Sequence, residues 1–183
     1  MILVYGTAEE INGGKAENKK IAESAAGKKL FDILLIESGV AATSEDIKTG
    51  EQGKPYLAEL PNVDFNITHS NGFVACILSV GEGRVGIDAE PAECSYPAEK
   101  QKALATRFFS EYEQKSLSTG DKTFAQLWTR REAALKMTGE GFAKGIGQEL
   151  PQNVHFITLT IGGFTLTVAA EQTANIVVKE YMK

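Results

Sequence analysis

Apolar and polar positions alternate along this chain with two periods, one of strands and one of helices. Met1-Ile-Leu-Val-Tyr5 is an apolar run of strand length, and a polar, glycine-containing loop is expected after it to about residue 15. From Ala16 to about Glu37, Ile21, Ala25, Leu30, Ile33 and Leu34 recur at helical spacing, with Gly27 a candidate break between two pieces. Residues 43–62 read as loop. Phe65 to Ser70, Phe73 to Val80 and Arg84 to Asp88 then read as three strands, with Asn71-Gly72 and Gly81-Glu-Gly83 as turns. Helical periods return after Pro91, over roughly 97–107, 110–117 and 121–138, and strands near 154–160, 164–170 and 175–181 close the chain.

A spacing recurs within this pattern. Phe65 through Gly72-Phe73 and Phe156 through Gly163-Phe164 both run from a phenylalanine, over seven residues, to a glycine and a second phenylalanine. The expected fold class is α+β: two similar halves in a pseudo-two-fold arrangement, each a helix packed on a small antiparallel meander. The halves are expected to span residues 1–90 and 91–183, meeting near Pro91.

The stretch Gln126 to Gly141 carries the densest pattern. At about 100° per residue, Phe124, Leu127, Trp128, Ala134 and Leu135 form one apolar face. Asp121 is expected to cap the start of this helix, and Gly139 to end it in the left-handed conformation. Glu132 and Lys136 lie at i and i+4 on one side, which by itself predicts only a solvated helical ion pair. Arg131, however, falls inside the apolar stripe, where a charge requires a partner.

Composition narrows the function classes. The chain has 183 residues, enough for a sizeable core, with 43% hydrophobic and 23% charged residues, ordinary for a globular protein. A net charge of −5 argues against general nucleic-acid binding, so an anionic ligand needs a local cluster of bases. The most basic segment holds Lys15, Lys19, Lys20, Lys28 and Lys29, which a solvated helix face also explains. The longest apolar run, Phe73 to Leu78, is too short to cross a bilayer, no leader pattern opens the chain, and two cysteines make no disulfide framework. A cytoplasmic location is the expectation.

Candidate chemistry centres on carboxylates. Asp88 and Glu90 are two apart at a strand end and so share a side, with Pro91 holding Glu90 extended. Two such carboxylates suit a hard cation such as Mg²⁺, and Glu132 brought alongside would make a third. His69, within Thr68-His69-Ser70, reads either as a satisfied strand-end histidine or, with those hydroxyls and Lys54, as a phosphate contact. His155 reads as structural. No phosphate-binding loop, dinucleotide glycine set or nucleophile elbow is present.

Taken together, Gly53-Lys54-Pro55, Phe65-Asn-Ile-Thr-His-Ser70, Val85-Gly-Ile-Asp-Ala-Glu90 and Leu127-Trp-Thr-Arg-Arg-Glu-Ala-Ala-Leu-Lys136 resemble the ordered signature motifs of the 4′-phosphopantetheinyl transferases, surfactin-synthetase-activating type. Phe108-Phe109-Ser110-Glu111 resembles the segment between them. Arg131 stands where that family usually has lysine, Thr129 where serine is common, and the arginine-rich N-terminal pattern is missing.

The resemblance implies transfer of 4′-phosphopantetheine from coenzyme A to a serine of an apo-carrier protein, releasing adenosine 3′,5′-bisphosphate. It implies Mg²⁺ on Asp88, Glu90 and Glu132, with Glu132 as base for the serine and Lys136 stabilising phosphate charge. Lys54, Thr68 and His69 would hold the 3′-phosphoadenosine end in the N-terminal half, and Arg131 would reach pantetheine or phosphate. The C-terminal half would carry the catalytic helix and dock the carrier through Tyr96, Phe109 and Leu117, with a basic rim of Lys100, Lys102 and Arg107. A monomer is expected, because both halves lie on one chain. Two rivals remain at this level: a Mg²⁺-dependent pyrophosphate-cleaving enzyme without a protein acceptor, and a non-catalytic carrier-protein binder.

Overall fold

The computed structural model describes residues 1–139, 150–151, 153–173 and 175–182. In chain order these form β1 (Ile2–Thr7), α1 (Ala8–Asn12), α2 (Lys19–Glu37), a 3₁₀ turn (Ser44–Asp46), β2 (Ile47–Thr49), β3 (Pro55–Leu57), β4 (Val63–Ser70), β5 (Phe73–Val80) and β6 (Val85–Pro91). There follow α3 (Ala98–Phe108), α4 (Glu111–Thr119), α5 (Phe124–Thr138), β7 (His155–Ile161), β8 (Phe164–Ala170) and β9 (Val177–Glu180). The α+β class is the one expected. No helix among the described residues is long and apolar enough to cross a membrane.

Local chemistry explains where the elements depart from expectation. The loop expected after β1 contains α1, started by a capping box in which Thr7 accepts from the Glu10 amide and Glu10 reaches back to Thr7. The loop expected over 43–62 contains the β2–β3 hairpin. Gly27 does not break α2. A Cβ there would lie 2.7 Å from Ile67 Cγ2 of β4, so this glycine permits close helix–sheet approach.

Strand partners also differ from a meander in each half. One sheet runs β4-β5-β1-β9 and another β6-β8-β7. Each half supplies a hairpin: Asn71-Gly72 joins β4 to β5 and Gly162-Gly163 joins β7 to β8, all four residues having positive φ as a type I′ turn demands. The third strand of each expected meander lies elsewhere. β6 pairs antiparallel with β8, and β9 lies parallel to β1, with Ile2 opposite Val177.

Burial on both faces of β6 accounts for this. Val85, Ile87 and Ala89 pack with Leu166 and Val168 of β8 against Leu3, Ala75 and Ile77 of the first sheet. The opposite face, beginning at Gly86, lies under α5. A helix therefore covers each outer face: α2 packs Leu30, Phe31, Leu34 and Leu35 on Val4, Phe65, Cys76 and Leu78, and α5 packs on β6 and β8. The layers run helix, sheet, sheet, helix.

Candidate active site

Where the sheets meet, β6 presents an edge that β8 does not pair, and β4 satisfies it with side chains. Apolar Val63, Phe65 and Ile67 point toward α2, so the even positions of β4 point toward β6. Asp64 Oδ2 accepts from the Val85 amide at 2.7 Å, and Asn66 Oδ1 from the Ile87 amide at 3.1 Å. Thr68 Oγ1 donates to Asp88 Oδ1 at 3.3 Å, and Ser70 Oγ to Glu90 Oε2 at 3.2 Å. Four consecutive even residues thus stitch the seam and orient both carboxylates.

Helix α5 lies across this seam because β6 has no side chain at Gly86. A Cβ there would lie 2.1 Å from the Ala133 carbonyl oxygen and 2.4 Å from the Met137 amide nitrogen. The helix starts not at an Asp121 cap but at Thr123, in a capping box with Gln126, while Asp121 accepts from Thr119. Gly139 ends it at φ 75°, the left-handed conformation expected.

This docking brings Lys136 Nζ to 2.7 Å from Asp88 Oδ1 and 3.3 Å from Thr68 Oγ1. The lysine's close partner is a carboxylate on another element, so the solvated helical pair is not what forms. Asp88 Oδ2 is buried without a hydrogen-bond partner.

The three carboxylates act on one another. Burial, followed by the charge of Asp88, pushes Glu132 up to about 7, and Lys136 only partly counters this. Burial and Asp88 likewise hold Glu90 above its ordinary value. Tyr96 is raised by burial first and then by Glu90. Among the described residues, no three histidine, cysteine or carboxylate side chains stand close enough to enclose an ion. The donor chemistry nevertheless fits a hard cation, for it comprises oxygen ligands only, two of them holding protons too strongly and one oxygen buried unpartnered. Beside this cluster lies a cleft of about 280 Å³, lined by Gly53, Lys54, Pro55, Asn66, Glu132 and Lys136 among others.

Other residues expected at the site are placed differently. Lys54 Nζ has three protein acceptors: Asp64 Oδ2 at 2.6 Å, the Met137 carbonyl at 3.0 Å and the Val85 carbonyl at 3.3 Å. It ties the C-terminal end of α5 to β4 and β6, where a cation also meets the helix dipole favourably. Lys54→Met should therefore cost about 2 kcal/mol of stability by leaving buried carbonyls unsatisfied, readable as a lowered urea midpoint. His69 points to the α2 side, its Nδ1 3.1 Å from Glu23 Oε2.

Arg131 does not reach the cleft. It is buried and paired with Glu113, which also caps α4 by accepting from the Ser110 amide at 2.9 Å. This is the partner that its place in the apolar stripe demands. Phe109, expected on a docking surface, is a core residue beside Phe124 and Trp128.

Reading by motif gives no role across the seam to Asp64, Asn66 or Ser70, though the last two lie within a quoted motif, and it passes over Glu23. For the first three the signal is visible in Val-Asp-Phe-Asn-Ile-Thr-His-Ser, where every even position is polar, as on a strand with one wet face. Here that face meets another strand.

Residues 84–180, spanning β6, α5 and the second sheet, match the family model of the 4′-phosphopantetheinyl transferase superfamily. The chain belongs to this superfamily. It is 35% identical over 131 residues to the 4′-phosphopantetheinyl transferase Sfp of Bacillus subtilis, covering 66% of this chain and 55% of that protein. It is 34% identical over 104 residues to psf-1 of Bacillus pumilus, covering 54% and 42%. Against AcpT of Salmonella typhi the identity is 29% over 145 residues, covering 75% and 73%. The chain thus spans about half the length of Sfp and less of psf-1. Within this chain, the superfamily match contains Asp88, Glu90, Glu132 and Lys136, whereas Lys54, Thr68 and His69 lie before it.

Proposed function

We propose that this chain transfers 4′-phosphopantetheine from coenzyme A to a serine of an apo-carrier protein, releasing adenosine 3′,5′-bisphosphate. The observation that carries the reading is the Asp88–Lys136 contact across the seam, with Glu90 and Glu132 gathered around it. Two carboxylates that hold protons unusually well, next to one ammonium, suit a reaction that moves a proton and manages phosphate charge.

Asp88, Glu90 and Glu132 would hold Mg²⁺. Bound there, the ion neutralises pyrophosphate charge. Glu132, on the face of α5 turned to Asp88, would accept the proton of the serine hydroxyl. Lys136, anchored by Asp88 and Thr68, supports the charge that develops on the phosphate oxygens. The adenosine end of the coenzyme lies in the first half, along β4 and the Gly53-Lys54-Pro55 turn beside Thr68 and His69. Pantetheine runs toward α5.

In this reading residues 1–90 serve the coenzyme, and residues 91–183 supply the catalytic helix and the carrier dock. With Phe109 in the core, docking falls to the exposed surface of α3 and α4, where Tyr112 stands with Lys100, Lys102 and Arg107. We place the protein in the cytoplasm as a monomer. Sedimentation velocity should show one species of constant mass across a hundredfold dilution series, whereas activity lost together with a dissociating oligomer would contradict it.

The direct test is intact mass of a purified apo-carrier after incubation with this protein, coenzyme A and Mg²⁺. The carrier should gain one phosphopantetheine, and replacing its acceptor serine by alanine should abolish the gain. Coenzyme A cleaved while the carrier mass stays unchanged would point to pyrophosphate hydrolysis instead.

A further inference from the structure

We infer that Glu23 sets a nucleotide preference, so that this chain takes 3′-dephospho-coenzyme A about as well as coenzyme A. The inference rests on the coenzyme site proposed above. A 3′-phosphate carries nearly two negative charges near neutral pH and needs a local surplus of positive charge to hold it. His69 and Lys54, the bases beside the proposed adenosine site, are already engaged by this chain's own acids.

His69 is the exposed member, and the carboxylate of Glu23 lies 3.1 Å from its ring. Glu23 is buried, and its second oxygen accepts from the Gly72 amide at 2.7 Å, which fixes the acid at the β4–β5 turn. With the imidazole protonated, the pair sums to zero; with it neutral, the sum is negative. The pair itself therefore offers an approaching phosphate no net cation, and the buried carboxylate behind the ring repels it. Lys54 repeats the pattern, because its ammonium is held by Asp64 at 2.6 Å and by two carbonyls. Thr68 is turned to Asp88 and Lys136. Lys19, whose Nζ lies 3.4 Å from Asn71 Oδ1, is an exposed lysine and is screened by salt.

The chemistry of transfer does not require the missing phosphate. The serine oxygen forms a bond to the β-phosphorus, the bond from that phosphorus to the bridging oxygen breaks, and the serine proton passes to Glu132. With 3′-dephospho-coenzyme A the leaving group is adenosine 5′-monophosphate instead of adenosine 3′,5′-bisphosphate.

Calorimetric titration of the Mg²⁺-loaded protein with coenzyme A and with 3′-dephospho-coenzyme A tests this whether or not transfer occurs. A site built around charged bonds to the 3′-phosphate would discriminate by well over tenfold; here the ratio of dissociation constants is expected below about fivefold. Glu23→Gln keeps a carbonyl acceptor for the Gly72 amide but removes the charge. It should raise the preference for coenzyme A at least about fivefold, and added salt should shrink that gain. A residue serving only the fold would weaken both coenzymes equally.

A wild-type preference above tenfold for coenzyme A, or no binding of either coenzyme, overturns the inference even if Glu23→Gln does not fold. So does a folded Glu23→Gln protein whose ratio is unchanged. Binding with the expected ratio, but no mass gain on a carrier with either coenzyme, overturns the proposed transfer and leaves the preference standing.

Discussion

Glu132→Gln is expected to reduce transfer to the carrier by a hundredfold or more, a scale of about 10² set by loss of general-base help alone, while making the metal-free protein more stable above neutral pH. Both effects come from one carboxylate. Glutamine keeps the size and helix propensity of glutamate but neither accepts the serine proton nor adds charge beside Asp88 and Glu90. In the folded protein Glu132 is raised to about 7 from an ordinary value of 4.5.

The sign of the stability effect follows. Below the ordinary value both folded and unfolded chains hold the proton, and glutamate costs nothing relative to glutamine. Between 4.5 and about 7 the folded protein keeps a proton that the unfolded chain has released, so stability falls as pH rises. Above about 7 the penalty is complete, on the order of 2–3 kcal/mol. Melting curves of wild type and Glu132→Gln without Mg²⁺ should converge near pH 4 and separate through pH 7, with the variant higher. Extra Mg²⁺ should not restore turnover, because the proton acceptor is still missing. A well-folded variant with near-normal turnover would falsify the assignment.

Gly86→Ala is expected to damage fold and site together. The added methyl would sit 2.1 Å from the Ala133 carbonyl oxygen, 2.4 Å from the Met137 amide nitrogen and 2.9 Å from its Cα. All three are backbone atoms of α5, and no rotamer change relieves them, so the helix must lift. Lifting it uncovers Ala133, Ala134, Met137 and Ala169 and draws Lys136 from Asp88. Overpacking usually costs 1–3 kcal/mol, and a backbone clash belongs at or above the top of that range, about 3 kcal/mol. For a chain of this length that lowers the melting temperature by about 6–12 °C. Transfer should fall further than the folded fraction does.

Gly27→Ala is the control, since its methyl meets Ile67 Cγ2 at 2.7 Å, a side-chain atom able to shift. Its cost should stay near 1 kcal/mol, close to a gain in helix propensity of opposite sign. A Gly86→Ala melting temperature within a degree or two of wild type would show that α5 does not rest on the β6 backbone as described.

What the sequence determined by itself is what neighbours along the chain decide. The amphipathic period of α5, its end at Gly139, the Asn71-Gly72 turn and the demand of Arg131 for a partner rest on spacings of a few residues or on a single side chain's solvation. So does the sharing of one side by Asp88 and Glu90, an alternation that any strand imposes. Tertiary structure alone decided the partners. It carried β6 away from β5 to β8 and laid β9 along β1. It turned the polar face of β4 onto β6 rather than to water. Lys54 and His69 were legible as bases, yet not that Asp64 and Glu23 would engage them. Arg131 was legible as a buried charge, but Glu113 was not legible as its acid. A local period records which side of an element is apolar, and that preference is satisfied by any apolar neighbour. Which charges meet across tens of residues depends on how the layers close, where a buried ammonium takes whichever carboxylate the packing brings within reach.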